Sequence, residues 1–149
     1  MPGMLFDANV WVALTFSAHP FHARARQVFA ETDSQNPAIF CRATEMSFLR
    51  LSTTPVLLNA YGCPDITNRD AIEFLRRYRG LGRVGFLDEP AGARDKWMEF
   101  ADLESASPKL WMDAYLAAFA ISGNLSFIST DGDFRRFEER GLKLRLLTE

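Results

Sequence analysis

Cysteine is scarce in these 149 residues: only Cys41 and Cys63 occur, and their spacing frames no disulfide scaffold. Such usage fits a reducing compartment, with both thiols acting as small buried hydrophobes. Histidine is equally sparse. His19 and His22 flank Pro20 at i, i+3, too few ligands for a soft-metal site, and are expected at the surface or toward a substrate. No apolar run approaches the roughly 20 residues that span a bilayer. The opening Met1-Pro2-Gly3-Met4-Leu5-Phe6-Asp7 also lacks the basic-then-apolar layout of a signal peptide. The expectation is a cytoplasmic protein with no membrane partner. An excess of positive charge is missing too, with a net charge of −2 and a pI near 5.7. That argues against a protein that coats nucleic acid by bulk attraction. It leaves room for a nuclease whose acidic site is neutralised by metal, provided arginines gather nearby.

What the chain does have is apolar material: 48% hydrophobic residues and 13 Phe, enough for the core of one domain spanning 1–149. Short apolar runs alternate with stretches of helical period, the βαβ rhythm of a parallel sheet covered by helices. Strands are expected at Met4–Phe6, Ala38–Cys41, Val84–Leu87, Leu125–Ser129 and Leu142–Leu147. Between them lie helices over Asn9–Phe16, from Pro20, from Thr44 to before Pro55, Asn68–Arg79 with Thr67 as N-cap, Ala91–Leu103 and Leu110–Ser122. The fold class is α/β: a twisted, mostly parallel sheet of four to five strands between two helical layers.

Four of the 19 acidic residues stand out by context. Asp7 lies between an apolar strand and Ala8-Asn9-Val10-Trp11-Val12, where an unpaired carboxylate costs several kcal/mol. A helix N-cap suits Asp7 equally well. Glu45 has Phe48 and Leu49 one turn on, so it starts on a core-facing stripe; a first-turn Glu paired with Arg42 or Arg50 also fits. Asp113 heads a stripe of Leu116, Ala117 and Ala120, flanked by Trp111 and Tyr115, which suggests a carboxylate admitted to a packed seam for a purpose. Asp131 follows the strand Leu125–Ile128 beside Gly132, while Thr130 and Asp133 have capping-box spacing. Parallel sheets bind ligands beyond the carboxyl ends of their strands, so the order of elements allows these acids to converge. Gathered carboxylates suit a hard divalent cation, Mg²⁺ or Mn²⁺, which activates water and stabilises charge on a phosphodiester. Their mutual repulsion predicts that the cation stabilises the fold.

These segments, in this order, resemble the PIN-domain ribonucleases, and among them the VapC toxins of bacterial toxin–antitoxin pairs. The resemblance covers the whole chain. It rests on Leu5-Phe6-Asp7-Ala8-Asn9-Val10, on Glu45 ahead of Phe48-Leu49-Arg50-Leu51, on Trp111-Met112-Asp113-Ala114-Tyr115-Leu116-Ala117-Ala118, and on Ser129-Thr130-Asp131-Gly132-Asp133-Phe134. It implies a PIN-like three-layer α/β/α fold and Mg²⁺- or Mn²⁺-dependent endoribonuclease cleavage of a structured RNA, a tRNA or ribosomal RNA loop. Asp7, Glu45, Asp113 and Asp131 match the family's acids, with Asp7, Asp113 and Asp131 expected to hold the metal. Asn9 and Ser129 match its polar positions, and Asp133 is a supporting acid. A homodimer and a VapB-like antitoxin are the implied partners.

Arg135, Arg136 and Arg140 follow Asp131 closely and are placed to meet substrate, Arg135 first. The run Arg76, Arg77, Arg79 and Arg83 reads more readily as a solvated helix face than as an RNA track. Two other readings compete. A haloacid-dehalogenase-like phosphatase would use Asp7 as nucleophile, but it wants a second Asp where Asn9 stands and a Lys, for which only Lys96 and Lys109 are candidates. A non-catalytic partner-binding module would reduce the acids to caps.

Overall fold

The structure of the chain is a computed structural model and describes residues 3–148. Five short strands make one sheet: β1 (Met4–Phe6), β2 (Ala38–Phe40), β3 (Val84–Phe86), β4 (Ser126–Ser129) and β5 (Lys143–Leu146). Their order is β3-β2-β1-β4-β5, and every neighbouring pair is parallel. The connecting helices are α1 (Ala8–Thr15), α2 (His22–Ala30), α3 (Arg42–Leu51), α4 (Pro55–Ala60), α5 (Asn68–Arg79), α6 (Ala93–Ala101) and α7 (Leu110–Ser122). A 3-10 helix covers Gly132–Arg140.

The period of two along each strand divides the core. Leu5, Ile39 and Phe127 are neighbours in register and pack with Phe100, Ala117, Phe119 and Phe134 from α6, α7 and the 3-10 helix. Phe6, Phe40 and Ile128 turn the other way, onto Trp11, Val28 and Phe48 of α1, α2 and α3. Trp11 stacks flat on Phe40 with ring centres 3.8 Å apart. Both sheet faces are therefore covered, which is the expected three-layer arrangement. Helix α7 is apolar on nearly every side, with Ala114, Ala117, Ala118 and Ala120 all buried. Such a helix belongs inside the molecule, and its small residues let it lie close to β4.

The structure corrects one local expectation, the start of α2, and adds two elements to the sequence reading. Pro55 does not only follow a helix; it opens α4 at a position where its missing N–H is harmless. Helix α2 begins at His22 rather than Pro20. The segment after Asp131 is a 3-10 helix, because Phe134 and Phe137 at i, i+3 fall on one side of a three-residue turn and are both buried. Gly141, at φ 103°, ends it in a conformation that favours glycine.

The strand order reverses direction between β1 and β4. Successive connections from these two central strands diverge, and a crevice opens beyond their carboxyl ends. Asp7 follows β1 directly, and Ser129-Thr130-Asp131 closes β4. Phe127, at the middle of β4, packs on Phe134 with ring centres 4.6 Å apart and so ties the strand to the 3-10 helix. Truncation of Phe127 to Ala is expected to lower unfolding free energy by about 3–5 kcal/mol, measured by urea denaturation.

Candidate active site

Asp7 is one of two buried acids among the described residues, with Glu45. It is 8% exposed, with its backbone amide bonded to the carbonyl of Ile128. Although it precedes α1, its side chain does not cap that helix. Instead Oδ2 accepts a 2.7 Å hydrogen bond from Ser129 Oγ at the end of β4. Burial pushes the Asp7 carboxyl up to about pKa 6, helped by Asp113 and Asp131 and opposed by the Ser129 bond.

Asp113, Asp131 and Asp133 offer carboxylate oxygens that all lie within 4.8 Å of one another. Asp113 comes from the first turn of α7 and Asp131 from the mouth of β4. Asp131 Oδ1 accepts from the Asp133 amide at 2.9 Å, so Asp131 is the helix cap and Thr130 is not. Ser129 Oγ also accepts from the Asp131 amide at 3.0 Å, so one buried hydroxyl holds both Asp7 and Asp131. Lys109 Nζ sits among the acids, 2.8 Å from Asp131, 2.7 Å from Asp133 and 3.4 Å from Asp113. Burial raises the Asp113 carboxyl more than Lys109 lowers it. Burial also acts to raise Asp131, but Lys109 and the Asp133 amide outweigh it and hold this carboxyl below its usual range. The three acids in turn push the Lys109 ammonium well above its ordinary value.

An open cavity of about 300 Å³ is lined by Asp7, Asn9, Asp113 and Asp131 together with Ser47, Arg50 and Lys109. Asn9 is thus brought to the acids. Glu45 is not. Its carboxylate is gripped by Arg42 at 2.6 Å and by Arg79 at 2.7 Å, and both guanidiniums rest on the Phe86 ring. On α3 the residues facing the cavity are Thr44, Ser47, Arg50 and Leu51, which places Glu45 a quarter-turn or more away. The i, i+3 spacing that put Glu45 near Phe48 marked a buried carboxylate correctly, but its partner is Arg79, 34 residues on.

Arg135 also lies apart: it pairs with Glu138 on its own helix at 3.6 Å and does not line the cavity. Arg140 reaches Glu99 and Phe100. Arg76 and Arg77 pair with Glu73, the solvated face expected of them. His22 bonds the Ala13 carbonyl and His19 accepts from the Phe21 amide, so both fasten a loop away from the acids. Lys109 and Arg50 are the cations that reach the site. Their signal was their place, one turn before Asp113 and on the same face as Ser47.

The donor set fits a hard divalent cation. It is all carboxylate oxygen, it is compact, and a lysine ammonium already stands where the three acids converge.

The profile of the PIN domain matches residues 4–140. The chain belongs to the PIN-domain family. Ribonuclease VapC41 of Mycobacterium tuberculosis is 40% identical over 147 residues, covering 98% of this chain and 99% of that protein. Ribonuclease VapC48 of the same organism is 29% identical, with 94% of each chain covered. Among solved structures, VapBC2 from Rickettsia felis bound to a DNA fragment from its promoter superposes with a TM-score of 0.62 at 15% identity, covering 99% of this chain and 100% of that one. Mycobacterium tuberculosis VapC20, described as a sarcin-ricin loop cleaving toxin, gives 0.59 at 17% identity, with 93% and 95% covered. At these identities the two structures speak for the fold. By sequence, this PIN domain is similar to the VapC ribonucleases over nearly its whole length.

Two consequences of the geometry are measurable. The folded state holds the Asp7 proton up to about pH 6, whereas an unfolded Asp releases it near pH 4. The folded state therefore binds more protons between these values and loses stability as pH rises through them, by on the order of 3 kcal/mol. Urea denaturation in EDTA should show this loss in the parent chain and not in Asp7→Asn, which becomes the more stable of the two at pH 7. Glu45→Gln is expected to lose about 1–3 kcal/mol by the same measurement, because two guanidiniums lose their counter-charge.

Proposed function

We propose that residues 1–149 work as one nuclease domain, a divalent-metal-dependent endoribonuclease of the VapC type that uses Mg²⁺, with Mn²⁺ able to replace it. The observation that supports this most directly is the meeting of Asp7, Asp113 and Asp131 at the reversal of strand order, with Asp133 beside them. Asp7, Asp113 and Asp131 would hold the cation. When bound, it supplies positive charge against the phosphodiester and makes a water acidic enough to attack it.

The rest is done by this chain's own groups. Ser129 Oγ fixes the Asp7 carboxylate at the cavity wall by donating to Oδ2. The same hydroxyl fixes the turn that carries Asp131. Asp133 and Lys109 balance charge at the rim, and Lys109, on a flexible stem, is free to leave the acids or to meet a phosphate. Asn9 offers amide donors and an acceptor at the mouth of the cavity. Glu45 acts in this reading as a structural anion that fastens α3 to α5, not as a metal ligand. The phosphatase alternative is set aside, since Asn9 stands where that chemistry needs a second Asp and the family is PIN.

The relatives support a structured RNA loop, of tRNA or ribosomal RNA, as substrate. They also support a VapB-like antitoxin and a second copy of the chain as partners. No helix among the described residues is long and apolar enough to cross a membrane, and we place the activity in the cytoplasm.

Purified protein incubated with total RNA should cut it in Mg²⁺ or Mn²⁺ and not in EDTA, with new 5′ ends read by sequencing. Asp113→Asn and Asp131→Asn are each expected to reduce cleavage by at least about 10²-fold while the fold persists. Cleavage that survives EDTA, or equal cleavage by Asp113→Asn, would overturn the mechanism. Glu45→Gln is expected to cleave at close to the parent rate per folded molecule, and a loss as deep as that of Asp113→Asn would return Glu45 to the catalytic set.

A further inference from the structure

Beside the acid cavity lies a second, larger one of about 620 Å³, between α3, α6 and the first turns of α7. Its size falls in the range of small-molecule sites, about 300–1,000 Å³. Its walls carry large apolar groups that the fold leaves in solvent: Met46 is 64% exposed, Trp111 54% and Met112 45%. Exposed apolar groups in one patch mark a recognition surface. We infer that this groove is a nucleobase subsite: an unpaired base next to the cleaved phosphate stacks on Trp111, and Arg50 holds a phosphate between the base and the acids. The inference rests on the ribonuclease reading and names the part of the substrate that the groove takes.

Three observations favour a base over other occupants. The first is continuity. Ser47, Arg50, Pro108 and Met112 line both cavities, so a strand whose phosphate reaches the acids can lay its neighbouring nucleotide along this groove. The second is charge. Arg42 is committed to Glu45, but Arg50, on the boundary between the cavities, has no carboxylate partner among the described residues. A planar guanidinium left without a counter-ion beside a phosphodiester site suits bidentate contact with phosphate. The third is rigidity. Trp97 Nε1 donates to the Trp111 carbonyl at 2.8 Å, and the Trp97 ring meets Trp111 and Tyr115 edge to face, 6.5 and 5.3 Å between centres. Tyr115 is itself tied to Glu89 at 2.8 Å. The Trp111 face is thus presented ready-made. Single-stranded RNA is recognised by stacking of splayed bases on such faces, with arginine at the backbone. A second copy of the chain or a peptide would bury the same apolar area but bring no phosphate to Arg50.

The test compares the parent chain with Trp111→Ala and Trp111→Phe. Steady-state cleavage of a short single-stranded oligoribonucleotide of mixed sequence is measured in Mn²⁺, and solution mass by light scattering. Binding of the same oligonucleotide, carrying a fluorescein label, is followed in EDTA by fluorescence anisotropy, with tryptophan emission read alongside. Trp111→Ala should raise KM and the EDTA dissociation constant about tenfold while kcat falls far less, and Trp111→Phe should recover most of the affinity. In the parent chain the oligonucleotide should quench tryptophan emission, and the three proteins should have one mass. Unchanged KM in Trp111→Ala would overturn the subsite while leaving the nuclease intact. A fall in mass with Trp111→Ala would overturn it in favour of an interface between copies. A parent chain that cuts no RNA in any metal would overturn the ribonuclease reading, and the subsite with it.

Discussion

A single buried hydroxyl, Ser129 Oγ, joins two strands whose sequences lie 122 residues apart and fixes an acid on each. Asp7 cannot sit in the interior alone, because an ionised carboxylate stripped of water is strongly disfavoured unless it is bonded. The bond from Ser129 meets that need while Asp7 still lines the cavity. It exists only because β1 and β4 pair in parallel with Phe6 beside Ile128, which sets Asp7 next to Ser129 at the strand ends. Moving either strand by one residue would turn its core residues to the wrong face and separate the pair. Sheet register, core packing and site geometry are one constraint.

Around that bond, the site is governed by burial of carboxylates, with their mutual repulsion adding to it. Asp7 and Asp113 are both pushed toward the protonated form, and Lys109 is drawn in as the nearest available cation. A cluster of this kind gives up stability in the empty protein for affinity toward a cation, a familiar trade at functional sites. Glu45 shows the contrast. It is just as buried, yet each of its oxygens is paired with an arginine of the fold. Burial of an acid and membership of a site are therefore different properties. What separates them is whether the compensating charge is built into the fold or must come from outside.

The periodic features of this chain were readable in the sequence. The five strands, α5 with its Thr67 cap, and α7 with its small-residue stripe follow from local patterns, because strand period and capping act over a few residues. Asp113 announced itself by heading an apolar stripe, and Asp7 by lying between two apolar segments. The 3-10 helix after Asp131 was not readable, since Phe134 and Phe137 fit several local conformations until the core they enter is known. The same applies to the cations. Arg135 stands four residues from Asp131 yet points to Glu138, while Arg50 and Lys109, remote in sequence from β1, line the cavity.

Of the four acids first singled out, Asp7, Glu45 and Asp113 were marked as sheltered by the apolar residues around them. Local hydrophobicity is enough to establish that a carboxylate is sheltered. It did not determine which of them share a site. That is a matter of direction: on α3 a difference of two positions turns a side chain from Ser47's cavity to the far side where Arg79 waits for Glu45. The rotation of α3 against the sheet and the register of β1 on β4 are set by long-range packing, and they bring Asp7, Asp113 and Asp131 to one cavity and turn Glu45 to Arg79.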